Sequence, residues 1–133
     1  MEYIKKYLLV AERIENINLI FDLTNIGVRS FPTGNFTEVL KNLATVYHCK
    51  VNRIFCLNTS LSLSIYMNTF SLGIDAFTFK KILIVKDSTS PELLEMAHLE
   101  QLETKYGGSA PDLEAGKYWP PNFPSEEYGI DPE

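Results

Sequence analysis

Cysteine, histidine and tryptophan are scarce in this chain, with two, two and one residues respectively. Two cysteines, Cys49 and Cys56, make no disulfide framework and read as reduced thiols of a cytoplasmic protein. His48 and His98 stand fifty positions apart with no ligand pattern beside them, so no metal site is expected. There is no glycine-rich phosphate loop, no nucleophile elbow and no paired-histidine helix. With no acid, base and nucleophile set to assemble, the expectation is a non-enzymatic protein without a cofactor. The opening residues carry a short apolar stretch mixed with Glu2, Lys5, Lys6 and Glu12, which fits no export signal.

Positive charge is also missing as a patch. Residues 1–109 carry eleven acidic and eleven basic side chains, and the last 24 residues carry six acids against Lys117. A neutral body without a basic stripe lacks the phosphate-neutralising charge on which nucleic-acid binding depends. The net charge of -5 therefore belongs to the tail.

What is present is an alternation of periods. Residues 2–13 have helical spacing of Tyr3, Tyr7, Leu8 and Val10, and residues 17–23 form a short apolar run closed by Thr24, Asn25 and Gly27. A second helix is predicted over 36–48 from Phe36, Val39, Leu40, Leu43 and Tyr47. Runs at 51–57 and 81–85 repeat the buried-strand signature. Helix and strand alternating in this way predict an α/β fold, a mostly parallel sheet with crossover helices. Ser90-Pro91-Glu92 reads as a capped helix start, and a further short helix is expected over 98–105, ending at Gly107-Gly108. Residues 109–133 hold five of the seven prolines and no apolar periodicity. Their aromatics, Tyr118, Trp119 and Phe123, point to a strap packing on the body.

One stretch carries no charge at all, the 21 residues 54–74. Eight of them are Asn, Ser or Thr and the first four belong to a strand, which excludes a membrane span. A helix over 60–72 remains, with Leu63, Tyr66, Met67 and Phe70 on one face and Leu61, Ile65 and Leu72 on another. Serines stand where a surface helix would show charges. Burial between two layers and a helix over a ligand cavity both fit that pattern.

Taken in order, these pieces resemble the central signature of CRAL-TRIO lipid-binding domains. Tyr47-His48-Cys49-Lys50 stands for the family's Tyr-Pro-Glu-Arg turn, and Arg53-Ile54-Phe55-Cys56-Leu57-Asn58 for its strand and Asn-containing end. Asp75, Lys81-Ile82, Glu92-Leu93-Leu94 and Tyr106-Gly107-Gly108 follow at matching positions, and Ile20-Phe21-Asp22-Leu23 resembles an earlier strand. The resemblance covers roughly residues 15–110 and implies the family's SpoIIAA-like core, with a partial lipid-binding domain over 1–108. It also implies a phospholipid or similar lipid held between the sheet and a gate helix that contains Ser60, Leu63, Met67 and Leu72. Phe21, Phe55, Leu61, Ile65, Tyr66 and Phe70 are then candidate lining residues. By the same resemblance Lys81 matches a lysine that contacts an inositol phosphate. Lys50 replaces the partner glutamate, and an ammonium donates hydrogen bonds but accepts none from inositol hydroxyls. A phosphate-bearing head group served by Lys50 and Lys81 is what this pair implies.

The family's N-terminal helices and first strands have no counterpart here, which leads to the expectation of a homo-oligomer, with domain swapping as one route. The expected partners are a lipid ligand and, transiently, a membrane surface, for a cytoplasmic protein peripheral to membranes. A different class also fits the alternation, a protein-interaction module similar to STAS domains, whose mark would be a phosphorylatable residue such as Thr59 or Ser60. Asp22 ends a strand, where α/β folds place functional groups, and reads as a cap of the following turn.

Overall fold

The computed structural model describes residues 15–46, 50–69 and 74–114. The helix expected at 2–13 and most of the tail lie outside these residues. The first strand, β1 (Ile17–Asp22), leads through a turn into α1 (Thr33–Val46), then β2 (Val51–Leu57) and α2 (Leu61–Thr69). After these come α3 (Ala76–Phe79), β3 (Ile82–Ile84), α4 (Pro91–Met96) and two 3-10 turns, Leu99–Gln101 and Thr104–Tyr106. The strands form one parallel sheet in the order β1-β2-β3.

Composition decides the centre of that sheet. β2 reads Val-Asn-Arg-Ile-Phe-Cys-Leu, and its last four residues are all buried. A strand apolar on both faces is stable only with a layer on each side. The register shifts once, between Ile17/Asn18 on β1, so that Ile17 pairs with Val51 and Asn18 with Arg53. The extra residue, Asn52, returns Val51 and Ile54 to the same face in spite of their odd spacing. One face of the sheet carries Ile54 and Cys56 against Phe36, Leu40 and Leu43 of α1 and Leu63 and Met67 of α2. The other carries Phe55 and Leu57 against Leu93 of α4 and Leu102.

Local chemistry places the helix starts. Ser90 is extended and its Oγ accepts from the Leu93 N–H at 3.1 Å, with Pro91 at the first turn. Asp75 does the same for α3, accepting from Thr78 N–H at 2.8 Å. α1 starts at Thr33, directly after Pro32 and three residues before the predicted start, because proline supplies the helical φ without needing an N–H partner. The predicted helix over 98–105 is instead two separate turns with buried Leu102 between them. Gly107 ends the second at φ 93, a left-handed position that favours glycine. Gly108 lies so close to the Leu102 carbonyl that no Cβ fits.

Leu40 is fully buried in the α1 layer, whereas Val39 beside it is exposed. Leu40→Ala is expected to cost about 2–5 kcal/mol and Val39→Ala less than about 0.5 kcal/mol, measured by urea unfolding. Equal effects would show that α1 does not pack on the sheet through the Leu40 face.

Candidate functional site

The predicted gate helix forms as α2, nine residues without a charge. Ser60 starts it, with its Oγ accepting from the Leu63 N–H at 3.3 Å. Its two faces have opposite fates: Leu63 and Met67 are 0% and 2% exposed, Leu61 and Ile65 63% and 61%. The space between sheet and helix, where a cavity was expected, is filled in this structure by Leu63 and Met67 packed in one cluster with Ile54 and Cys56. Tyr66, half-buried, points toward α1, and its hydroxyl lies 3.1 Å from that of Thr33. Phe70 and Leu72 lie outside the described residues.

The candidate lining residues therefore separate into groups. Phe21 and Tyr66 belong to the α1/α2 side of the sheet, Phe21 meeting Phe36 edge-on at 5.4 Å. Phe55 is on the opposite face, fully buried with Leu93 and Leu102, because alternation along β2 turns it away from Ile54 and Cys56. Leu61 and Ile65 point outward and line nothing between helix and sheet. An open apolar groove of about 370 Å³ lies instead at the outer edge of β1, walled by Phe21, Leu23, Ile26, Phe31 and Phe36, with Val39 at its rim.

Parallel pairing brings Lys50 and Lys81 to one end of the sheet, each immediately before a strand. The Lys81 ammonium donates to the Val51 carbonyl at 2.6 Å and lies 4.6 Å from the Phe77 ring centre. It thus ties α3 and the start of β3 to the start of β2 while holding its charge at the rim. Lys50 contributes its carbonyl to the Ile17 N–H at 2.7 Å.

At the other end of the strands stands a site whose full extent sequence reasoning missed. Asp22 Oδ1 accepts from the Thr24 N–H at 3.0 Å, the Thr24 hydroxyl at 2.6 Å and the Asn58 amide at 2.9 Å. Its Oδ2 accepts from the Tyr106 hydroxyl at 3.0 Å. The cap of the following turn is therefore present, and the same carboxylate also joins β1 to the end of β2 and to the last 3-10 turn. Asn58 takes a left-handed φ of 56 to reach it, a conformation asparagine tolerates. The available signal was the resemblance itself, which lined up Asp22, Asn58 and Tyr106 without giving them a common task. Burial raises the Asp22 pKa, but the bonds from Thr24, Asn58 and Tyr106 outweigh it and bring it down to about 2. Burial and the Asp22 carboxylate push the Tyr106 phenol up to about 12. A polar cavity of about 600 Å³ opens beside this hub, lined by Asp22, Glu103, Lys105 and Tyr106 among others.

Burial alone raises the thiol of Cys56 to about 12, which makes it a core residue rather than a nucleophile. Among the described residues no group of three His, Cys, Asp or Glu side chains could hold a metal ion. No described helix is long and apolar enough to cross a membrane.

With a parallel α/β sheet, an uncharged helix packed across it and the Asp22–Asn58–Tyr106 tie in place, the match of the CRAL/TRIO domain family model to residues 1–108 settles the family. The chain belongs to the CRAL-TRIO family. No curated protein matches it. CRAL-TRIO proteins bind or transfer lipids.

The Asp22 hub carries a pH dependence. A carboxyl lowered from 3.8 to about 2 adds stability above pH 4 that is lost as pH falls through 2. Because Asp22 is exposed, solvent screens the gain to about 1 kcal/mol or less. Asp22→Asn is therefore expected to be less stable than the native chain at pH 6 and to converge with it near pH 2, by urea unfolding at each pH. A constant difference down to pH 2 would show that the carboxylate charge contributes nothing.

Proposed function

We propose that this CRAL-TRIO chain binds and transfers a phospholipid or similar lipid without catalysing a reaction, and that α2 is both its gate and its membrane-facing surface. The observation that carries the reading is the pair of apolar faces on one uncharged helix, Leu63 and Met67 inward, Leu61 and Ile65 outward. In water the outward pair is unfavourable; at a bilayer interface each buried Leu or Ile side chain contributes about 1.5–3 kcal/mol. Lifting α2 moves Leu63 and Met67 out of the core and opens the sheet face of Ile54, Cys56 and Phe21 to an acyl chain. The hydroxyl pair Thr33 and Tyr66 holds the helix down at low cost, since a single partly exposed polar contact is worth about 1 kcal/mol.

Lys50 and Lys81, at the same end of the sheet, supply positive charge for a phosphate-bearing head group. The protein is on this reading peripheral to a membrane, which it visits to load and unload. Of the two residues that would mark a phospho-regulated interaction module, Thr59 is 2% exposed and donates its hydroxyl to the Cys56 carbonyl at 2.9 Å, so that alternative rests on Ser60, exposed at the start of α2.

Native mass spectrometry with lipid extraction of the purified chain is expected to find a co-purifying lipid. The double variant Leu61→Glu/Ile65→Glu is expected to lower lipid transfer between phosphatidylcholine/phosphatidylserine vesicles by about tenfold or more. Its unfolding midpoint should stay close to native, because both side chains are exposed. Undiminished transfer by this variant would remove α2 from the membrane contact, and a chain that extracts no lipid from any vesicle would end the lipid reading.

A further inference from the structure

Among the described residues the three most exposed large apolar side chains are Leu61, Ile65 and Phe77, at 63%, 61% and 56%. All three stand on the crossover between β2 and β3, two on α2 and one on α3. Single exposed apolar residues are ordinary on a protein surface, but three on consecutive elements of one crossover are not scattered. α3 belongs to the same layer as α2. Its Thr78 is buried, and with Leu43, Val51 and Ile54 it borders a small void on the face of the sheet that Leu63 and Met67 cover. Phe77, beside Thr78 on the helix, turns outward from that layer.

α3 differs from α2 in how it is held. The Arg53 guanidinium, itself bonded to Glu92 at 2.8 Å, donates to the Lys80 carbonyl at 3.0 Å. The Lys81 ammonium donates to the Val51 carbonyl at 2.6 Å, so two side chains fix the turn that carries Phe77 to β2. Lys80 and Lys81 follow Phe77 at three and four positions, the spacing of neighbours on a helix surface. Lys80 is exposed, and the Lys81 ammonium lies 4.6 Å from the Phe77 ring centre. Asp75, the acid next to them in sequence, turns its carboxylate onto the Thr78 N–H. An aromatic ring with ammonium groups beside it suits a membrane interface, where the ring enters the acyl boundary and the charges stay among the phosphates.

We propose that α3 is a fixed anchor on an anionic bilayer surface, with Phe77 in the acyl boundary and Lys80 among the head-group phosphates, while α2 opens beside it. The inference rests on the lipid reading and adds to it a membrane contact that does not move. A gate that lifts off the sheet loses its own orientation as it opens; a turn tied to β2 keeps the sheet in place on the membrane. The lysines select the surface, since each base near an anionic bilayer strengthens binding about fivefold and does nothing comparable on a neutral one.

The test is co-sedimentation of the full chain with phosphatidylcholine vesicles and with phosphatidylcholine/phosphatidylserine vesicles. The native chain is expected to bind the mixed vesicles more tightly. Phe77→Ser is expected to weaken that binding by about tenfold or more. Lys80→Glu is expected to weaken it by about tenfold, a deficit that disappears with phosphatidylcholine alone. Native far-ultraviolet circular dichroism is expected for both variants, whose altered side chains are exposed. Should Phe77→Ser not fold, Lys80→Glu carries the test. Variants that sediment as the native chain does, when that chain co-purifies with a lipid, would overturn the anchor and leave the lipid reading standing. A native chain that binds neither vesicle would also overturn the anchor, and the absence of a co-purifying lipid would then remove the lipid reading with it. A Lys80→Glu deficit equal on both vesicles would overturn the assignment of Lys80 to anionic head groups.

Discussion

Everything else in the structure follows from β2 being apolar on both faces. A strand that buries Ile54, Phe55, Cys56 and Leu57 in succession cannot sit at the surface, and covering it takes a layer on each side. On one side α1 and α2 share the work through Leu40, Leu43, Leu63 and Met67; on the other the shorter α4 and Leu102 suffice for Phe55 and Leu57. This asymmetry bears on the proposed gate. The layer that includes α2 is built from two separate helices, and a helix of nine residues detaches at lower cost than a continuous long one. The opposite layer contains the turns around Leu102, closed by Gly107 and Gly108, where Gly108 tolerates no side chain.

Parallel pairing sorts the polar groups by end. All strand starts face one way, which collects Lys50 and Lys81; all strand ends face the other, which collects Asp22 and Asn58. Arg53 pins the lysine end further, bonded to Glu92 at 2.8 Å and to the Lys80 carbonyl at 3.0 Å. The carboxylate end is closed by Tyr106, contributed from a point 84 residues along the chain. Both ends are thus tied independently of the apolar layers. A structure whose strands are fixed at both ends keeps its sheet when one covering helix moves.

The parts legible in the sequence were those with a local cause. Apolar runs of strand length located the three strands among the described residues, and Ser90-Pro91 located α4, because burial and capping act over a few residues. Asp75 and Thr78 carried the same capping signal for α3 and went unread. The 98–105 segment misled because Leu99, Leu102 and Tyr106 have helical spacing, while the chain folds around Leu102 to suit Gly107 and Gly108. Site residues were harder still. Which face of β2 meets α2 is decided by pairing with β1, including the register shift at Asn52, so Phe55 could not be assigned to a side from its own neighbours. The Lys81 bond to the Val51 carbonyl spans 30 positions and has no local signature.

The exposure of Leu61 and Ile65 follows from the same accounting of faces. A helix on the surface of an ordinary domain turns charges to water, and α2 has none to turn; Ser62, Ser64, Asn68 and Thr69 take the polar positions. Hydroxyl and amide groups are much cheaper than charges to bring against an apolar phase, because their hydrogen bonds can be met within the helix. That occurs here: the Thr69 hydroxyl donates to the Tyr66 carbonyl at 2.6 Å and the Asn68 amide to the Ser64 carbonyl at 3.0 Å. The helix therefore satisfies these two polar side chains internally in any surroundings. Water, a lipid head-group layer and the underlying sheet differ for it mainly in what they offer Leu61, Leu63, Ile65 and Met67, and a helix built that way can exchange one apolar contact for another without exposing an unpaired charge.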